Sequence, residues 1–336
     1  MNKNSRIGLW LIIPAWILAF AARTAQICGG TDMTTGFLKH DSFFMDACFW
    51  LAVAVTLAAA VAAAVLDRKK GSAFYTAEVS QVTDGRAAVI GFALLLPAMG
   101  ALYSGYSQAM VPEESKISSS PFMMAVDFLF GGIMLVLAFV ILYKKEFRPG
   151  LGFSLTAGAV YYTLCGIGVF LDNMAVTTVP EHLINCLCMV AAALFFMQLA
   201  ALLSGNEGKR TRSVLAVSGA VSGVMILANS LAVLVTALMG PADAASRIVS
   251  TKAQAEFLYQ MAEGNHAYYM CFVPVQLAAA GVFIVAALIA LYMKPSDNAA
   301  ADEPETAEQP AVASVPEELP AQPETETAED NDSAQD

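Results

Sequence analysis

The sequence predicts an all-α fold, a polytopic bundle of about eight transmembrane helices with both termini in the cytoplasm. Three observations carry the prediction. Apolar residues make up 57% of the 336 and charged residues only 14%, where a soluble domain carries about a quarter. The apolar residues gather into runs of about 20, enough at about 1.5 Å per residue to cross a hydrocarbon core of about 30 Å. Cations close these runs at alternate ends, which is how short loops record topology.

The clearest run is 43–66, with Asp46 its one ionisable residue, closed by Asp67-Arg68-Lys69-Lys70. Before it, a basic start (Lys3, Arg6) leads into a first span at 7–22, which contains Pro14. Ala19-Phe20-Ala21 has the small-x-small form of a cleavage site, so a cleaved signal is the alternative to a retained helix. A polar loop is expected at 23–42. The third span is expected at 87–110, with Pro97 near its centre removing a backbone donor. The fourth, at 122–143, is closed by Lys144, Lys145 and Arg148. A fifth at 151–171, a sixth at 183–203 and a seventh at 214–239 follow, with Lys209, Arg210 and Arg212 between the last two. Within 240–265, Ile248, Ala255, Leu258 and Met261 approximate helical spacing and predict a short amphipathic helix at the membrane surface. The eighth span, 267–293, ends at Lys294.

Orientation follows from the cations. With the N-terminus inside, the inner segments hold 13 Lys or Arg and the outer loops hold five: Arg23, Lys39, Lys116, Arg247 and Lys252. That bias predicts a cell-membrane protein with both termini cytoplasmic. The net charge of −11 belongs to the tail, because 295–336 holds 13 Asp or Glu and no Lys or Arg. This Pro-, Glu-, Ala- and Thr-rich segment has too little apolar surface to offset chain entropy, so it is expected to be disordered. A shift of 140 residues places Asp32 on Asp172, Cys48 on Cys188, Lys69 on Lys209 and Lys70 on Arg210. Later spans need other offsets, so the repeat is weak.

Ionisable side chains near the bilayer midplane would mark a solute or proton path. None is expected, since Asp46, Asp127 and Asp172 fall near outer span ends, within reach of water. The deeper polar groups are Thr56, Gln198, Asn229 and Gln276. These are expected to bond across helix interfaces, a small-solute site being the alternative. Gly219 and Gly223 form G-x-x-x-G beside Ser218 and Ser222, which lets helix backbones approach closely. Packing within the chain is the expected use, and a dimer seam the alternative.

All six cysteines and all three histidines fall on the outer side of this topology. His40, Cys48, His182, Cys186, His266 and Cys271 form a candidate outer-face cluster. His182 and Cys186 share a helix face. No C-x-x-C or H-E-x-x-H accompanies them, so no metal or other cofactor is assigned. The cysteines are expected to pack as small hydrophobes, with disulfides on an oxidising outer side or a metal site as alternatives.

Nothing in the chain reads as a catalytic motif. Gly-x-Ser-x-Gly is absent, and the inner loops are too short for a catalytic domain. Their basic residues serve orientation, so no nucleic-acid partner is expected. The expected function is a structural or sensory membrane component. Its partners are the lipid bilayer and a membrane protein or second copy of itself. A transporter or channel for a small uncharged or weakly polar solute is the alternative, and an outer-face enzyme or metal binder a third.

Overall fold

The computed structural model describes residues 3–30, 43–70, 84–110, 121–144, 149–172, 180–204, 209–239 and 272–292. Every regular element among them is helical. The helices are α1 (Lys3–Ala25, continued by a π-helical turn Gln26–Gly30), α2 (Phe43–Lys70), α3 (Asp84–Met110) and α4 (Pro121–Lys144). They continue with α5 (Pro149–Asp172), α6 (Pro180–Leu203), α7 (Lys209–Met239) and α8 (Phe272–Tyr292). Seven are long and apolar enough to cross a membrane. The eighth, α8, has 21 residues, which at about 1.5 Å each also reaches about 30 Å. The acidic tail at 295–336 and the amphipathic segment at 240–265 lie outside the described residues.

Several helices run past the expected spans because their polar ends remain helical. Lys69 and Lys70 close α2, and Lys209, Arg210 and Arg212 open α7. Pro121, Pro149 and Pro180 each occupy the first position of a helix. An N–H there has no intrahelical acceptor, so proline costs nothing and sets φ for the turn.

The first span needs the largest correction. The loop expected at 23–42 begins later, since the helix passes through Arg23 and Gly30 closes its π-helical turn. A span of 7–22 has 16 residues, short of the roughly 20 that a bilayer requires. The observed helix makes up the deficit by carrying a cation into the bundle.

Successive helices pack as antiparallel pairs, which the glycine contacts make explicit. Gly91 faces Ile141 and Leu142, Gly131 faces Leu102, and Gly105 faces Asp127 and Phe128, so α3 and α4 run in opposite directions. Gly152 faces Ser204, Gly158 faces Phe196 and Gly166 faces Met189 across α5 and α6. Gly219 faces Leu288, Gly223 faces Val285 and Gly281 faces Leu227 across α7 and α8. Gly219 and Gly223, the G-x-x-x-G pair, thus lie against α8 within the chain. Helix α7 packs against α1, α2, α6 and α8. Its small residues permit this, because a backbone without bulky side chains can be approached from several sides.

An aromatic series crosses the bundle. Phe130 of α4 stacks on Tyr161 of α5 with ring centroids 3.9 Å apart. Tyr162 stacks on Phe196 of α6 at 5.4 Å, and Phe196 on Phe283 of α8 at 5.1 Å. Large apolar side chains such as Phe92, Phe139 and Phe153 point outward. In water such a surface would be costly, and against lipid tails it is not.

Candidate functional site

The pairing of helices places the C-terminal parts of α1, α3, α5 and α7 beside the N-terminal parts of α2, α4, α6 and α8. This is the distal end of the bundle, away from the N-terminus. Two polar networks lie toward it, and between them they draw on all eight helices.

The first network is built on Arg23 of α1, which is fully buried. Its Nε donates to Asn229 Oδ1 of α7 at 2.9 Å. Its Nη1 donates to Gln26 Oε1, one turn further along the same strand of helix. Gln26 Nε2 in turn donates to Asp46 Oδ1 of α2 at 3.2 Å. Asn229 Nδ2 donates to Asn185 Oδ1 of α6 at 2.8 Å. The cation is thus joined to a carboxylate through an amide. Gln26 is buried and Asp46 half-buried. The i, i+3 spacing of Arg23 and Gln26 puts both on one helix face.

The second network is built on Asp127 of α4, which is 2% exposed. Ser104 of α3 donates to Oδ2 at 2.7 Å, and Tyr161 of α5 donates to Oδ1 at 2.8 Å. Gln276 Nε2 of α8 donates to the Tyr161 hydroxyl oxygen at 2.8 Å. Ser104, Tyr161 and Gln276 are all buried. Each oxygen of the carboxylate therefore accepts a bond from a different helix, as burying a charge requires.

These networks correct two expectations, the water-accessible place of Asp127 and the loop position of Arg23. Asp127 is near the start of its span, as expected, yet α3, α5 and α8 close over it and leave it buried. Arg23 was expected in an outer loop and lies inside the bundle. Of the four deeper polar residues, Asn229 and Gln276 take part in the two networks. Thr56 donates instead to Ala52 O of its own helix at 2.8 Å, so it does not bridge an interface. Gln198 is half-buried on α6. The residues not anticipated from sequence are Arg23, Gln26, Asn185, Ser104 and Tyr161, together with the burial of Asp127.

Of the outer-face cluster only Cys48 and Cys186 have side chains among the described residues. His40, His266 and Cys271 lie outside the described residues, as does the side chain of His182. Cys48 and Cys186 are half-buried, and Cys186 Sγ donates to Gly166 O at 3.6 Å. Cys28, Cys48, Cys165, Cys186 and Cys188 are free thiols. Among the described residues no three His, Cys, Asp or Glu side chains are placed to hold a metal ion.

Comparison with protein-family models, with characterised proteins and with solved structures gives no match to this chain.

Proposed function

We propose that this multi-pass helical protein is a sensory or structural component of the cell membrane. In this reading both termini are cytoplasmic, and the protein acts through a membrane-protein partner or a second copy of itself. The observation that carries the reading is how the two buried charges are held. Arg23 and Asp127 are each bonded by side chains that this chain itself supplies, from helices on several sides. Polar groups used this way fix one helix arrangement, since any other would leave a charge unsolvated in an apolar medium. The 13-to-five distribution of cations supports the orientation.

A second reading, a transporter or channel for a small uncharged or weakly polar solute, is favoured by the same two residues. Charges inside a membrane bundle are costly, and in carriers they mark the route of the solute. Two experiments on the full chain separate the readings. Photo-crosslinkers at the outward-facing Phe92, Phe139 and Phe153 are expected to give discrete adducts in native membranes. Reconstituted protein is expected to release a panel of trapped small solutes no faster than empty vesicles do. Specific flux without adducts would overturn the sensory or structural reading in favour of transport.

A further inference from the structure

We propose that Asp127 is a proton-binding site, and that its proton is exchanged through a reversal of the Ser104 hydroxyl. The inference rests on the direction of the hydrogen bonds around the carboxylate and holds for a sensing and a transporting bundle alike. Gln276 donates to Tyr161, and Tyr161 donates to Asp127 Oδ1. The Gln276 amide occupies the acceptor side of the phenol oxygen, so the phenol proton is aimed at the carboxylate. This arm favours the ionised form. The other arm is reversible. Ser104 Oγ lies 2.7 Å from Oδ2, a distance that suits a bond in either direction.

Protonation at Oδ2 turns Ser104 from donor into acceptor. Its own hydroxyl proton is then free to rotate to the backbone carbonyl of Gly100, one turn earlier, as helical serines commonly do. The heavy atoms need not move, and no polar atom is stranded. A proton arrives on Oδ2 as the O–H bond forms, and the negative charge of the carboxylate is neutralised. Asp127 is the seventh residue of α4, about 9 Å along the axis from the helix start. The carboxyl therefore lies closer to the distal end of α4 than to its Lys144 end.

The groups facing Asp127 come from three helices. From α5 they are Tyr161, Tyr162 and Cys165. From α3 and α8 they are Ser104 and Gln276, neither of which titrates. On these four helices the described cations, Arg86 and Lys144, stand near the opposite end. Asp84 opens α3 there, and Asp172 ends α5, 11 residues beyond Tyr161.

The test is infrared difference spectroscopy of the full-length protein in lipid, titrated with pH. The 29 Asp and Glu of the chain all contribute protonated-carboxyl C=O absorption as pH falls, and the expected result is that one component of it is missing in Asp127→Asn. At a fixed pH within the transition, Tyr161→Phe removes a donor to the charged form. It should raise the protonated-to-ionised ratio by about tenfold or more. Exchanging sodium for choline at constant ionic strength should leave that component unchanged. Asn has nearly the shape of Asp, so Asp127→Asn is expected to fold, and Tyr161→Phe gives an independent readout if it does not. A carboxyl absorption in folded Asp127→Asn that equals the wild type's at every pH, or a Tyr161→Phe protein with the wild-type profile, would overturn the assignment. A component that follows sodium would replace the proton with a metal cation.

Discussion

Asn229 is the residue on which the first network turns, because it is both acceptor for Arg23 and donor to Asn185. Asn229→Ala removes both bonds at once in a position that is 1% exposed. A hydrogen bond to a charged group is worth about 1.5–3 kcal/mol. Interhelical polar bonds in membranes average about 0.6 kcal/mol. The expected loss is therefore about 2–4 kcal/mol, most of it from the bond that Arg23 Nε loses. Asn229→Asp keeps an acceptor for Arg23 and strengthens it with charge, while the Asn185 amide can turn to donate. It should lose less than half as much. Reversible unfolding in mixed micelles with increasing dodecyl sulfate reads both values. A double-mutant cycle with Arg23→Met isolates the pairwise part, expected at about 1–3 kcal/mol. An Asn229→Ala protein within about 0.5 kcal/mol of wild type, or an Asn229→Asp protein as unstable as the alanine variant, would refute the reasoning.

A Cβ at Gly158 would run into the Phe196 ring, which is itself stacked between Tyr162 and Phe283 and cannot swing aside. Gly158→Ala should cost about 1–3 kcal/mol, while Gly132→Ala, with nothing within 4 Å, should be neutral or gain up to about 1 kcal/mol in the same unfolding assay. Reporter fusions after Lys70, Lys145, Arg212 and Lys294 should read as cytoplasmic, and those after Lys39, Lys116, Val179 and Lys252 as external. Two or more reversed signs would refute the proposed orientation. In single-cysteine proteins on intact cells, a membrane-impermeant thiol reagent should label the exposed Cys28 and leave the buried Cys188 untouched until denaturation. Labelling of Cys28 only after permeabilisation would place that end of α1 inside.

The spans were legible because bilayer thickness sets a minimum length and apolar runs of that length rarely have another use. The polar centre was less legible because hydropathy treats a charge as the end of a span. Arg23 was read as the start of a loop on that ground alone. The contrary signal was present, since 16 residues are too few to cross and Gln26 follows at i+3. Asp127 was placed correctly along its helix, but its burial depends on which face α4 turns to its neighbours. That is set by Ser104, Tyr161 and Gln276 on three other helices, the last of them 149 positions away. No local pattern carries such information. Asn229 and Gln276 were recognised because an amide deep in an apolar run must find a partner, even when the partner cannot be named. Thr56 escaped this logic because a helical threonine can satisfy itself on its own backbone.

The two halves of the bundle are held by different forces, and this bears on how it can respond. Toward the N-terminal side the contacts are close and uncharged: Gly91 on Leu142, Gly152 on Ser204, Gly219 on Leu288 and Phe195. Near the middle, Gly158 lies on Phe196 and Phe196 on Phe283. Such packing is insensitive to pH and has one good fit, since a displaced helix would drive a side chain into a backbone. Toward the distal end the helices are joined by hydrogen bonds to two charges. One set is α1, α2, α6 and α7, and the other is α3, α4, α5 and α8. The hairpins α5/α6 and α7/α8 each have one helix in either set, so the sets can separate only by opening those pairs. Their glycine contacts at the proximal end resist that opening, whereas at the distal end a change at Asp127 acts only within its own set. A proton at Asp127 exchanges one hydrogen-bond direction for another inside the second set and leaves the glycine contacts as they are, so the proximal packing is not expected to respond to pH. Asp127, the seventh residue of α4, places that exchange toward the distal end, away from the glycine layer.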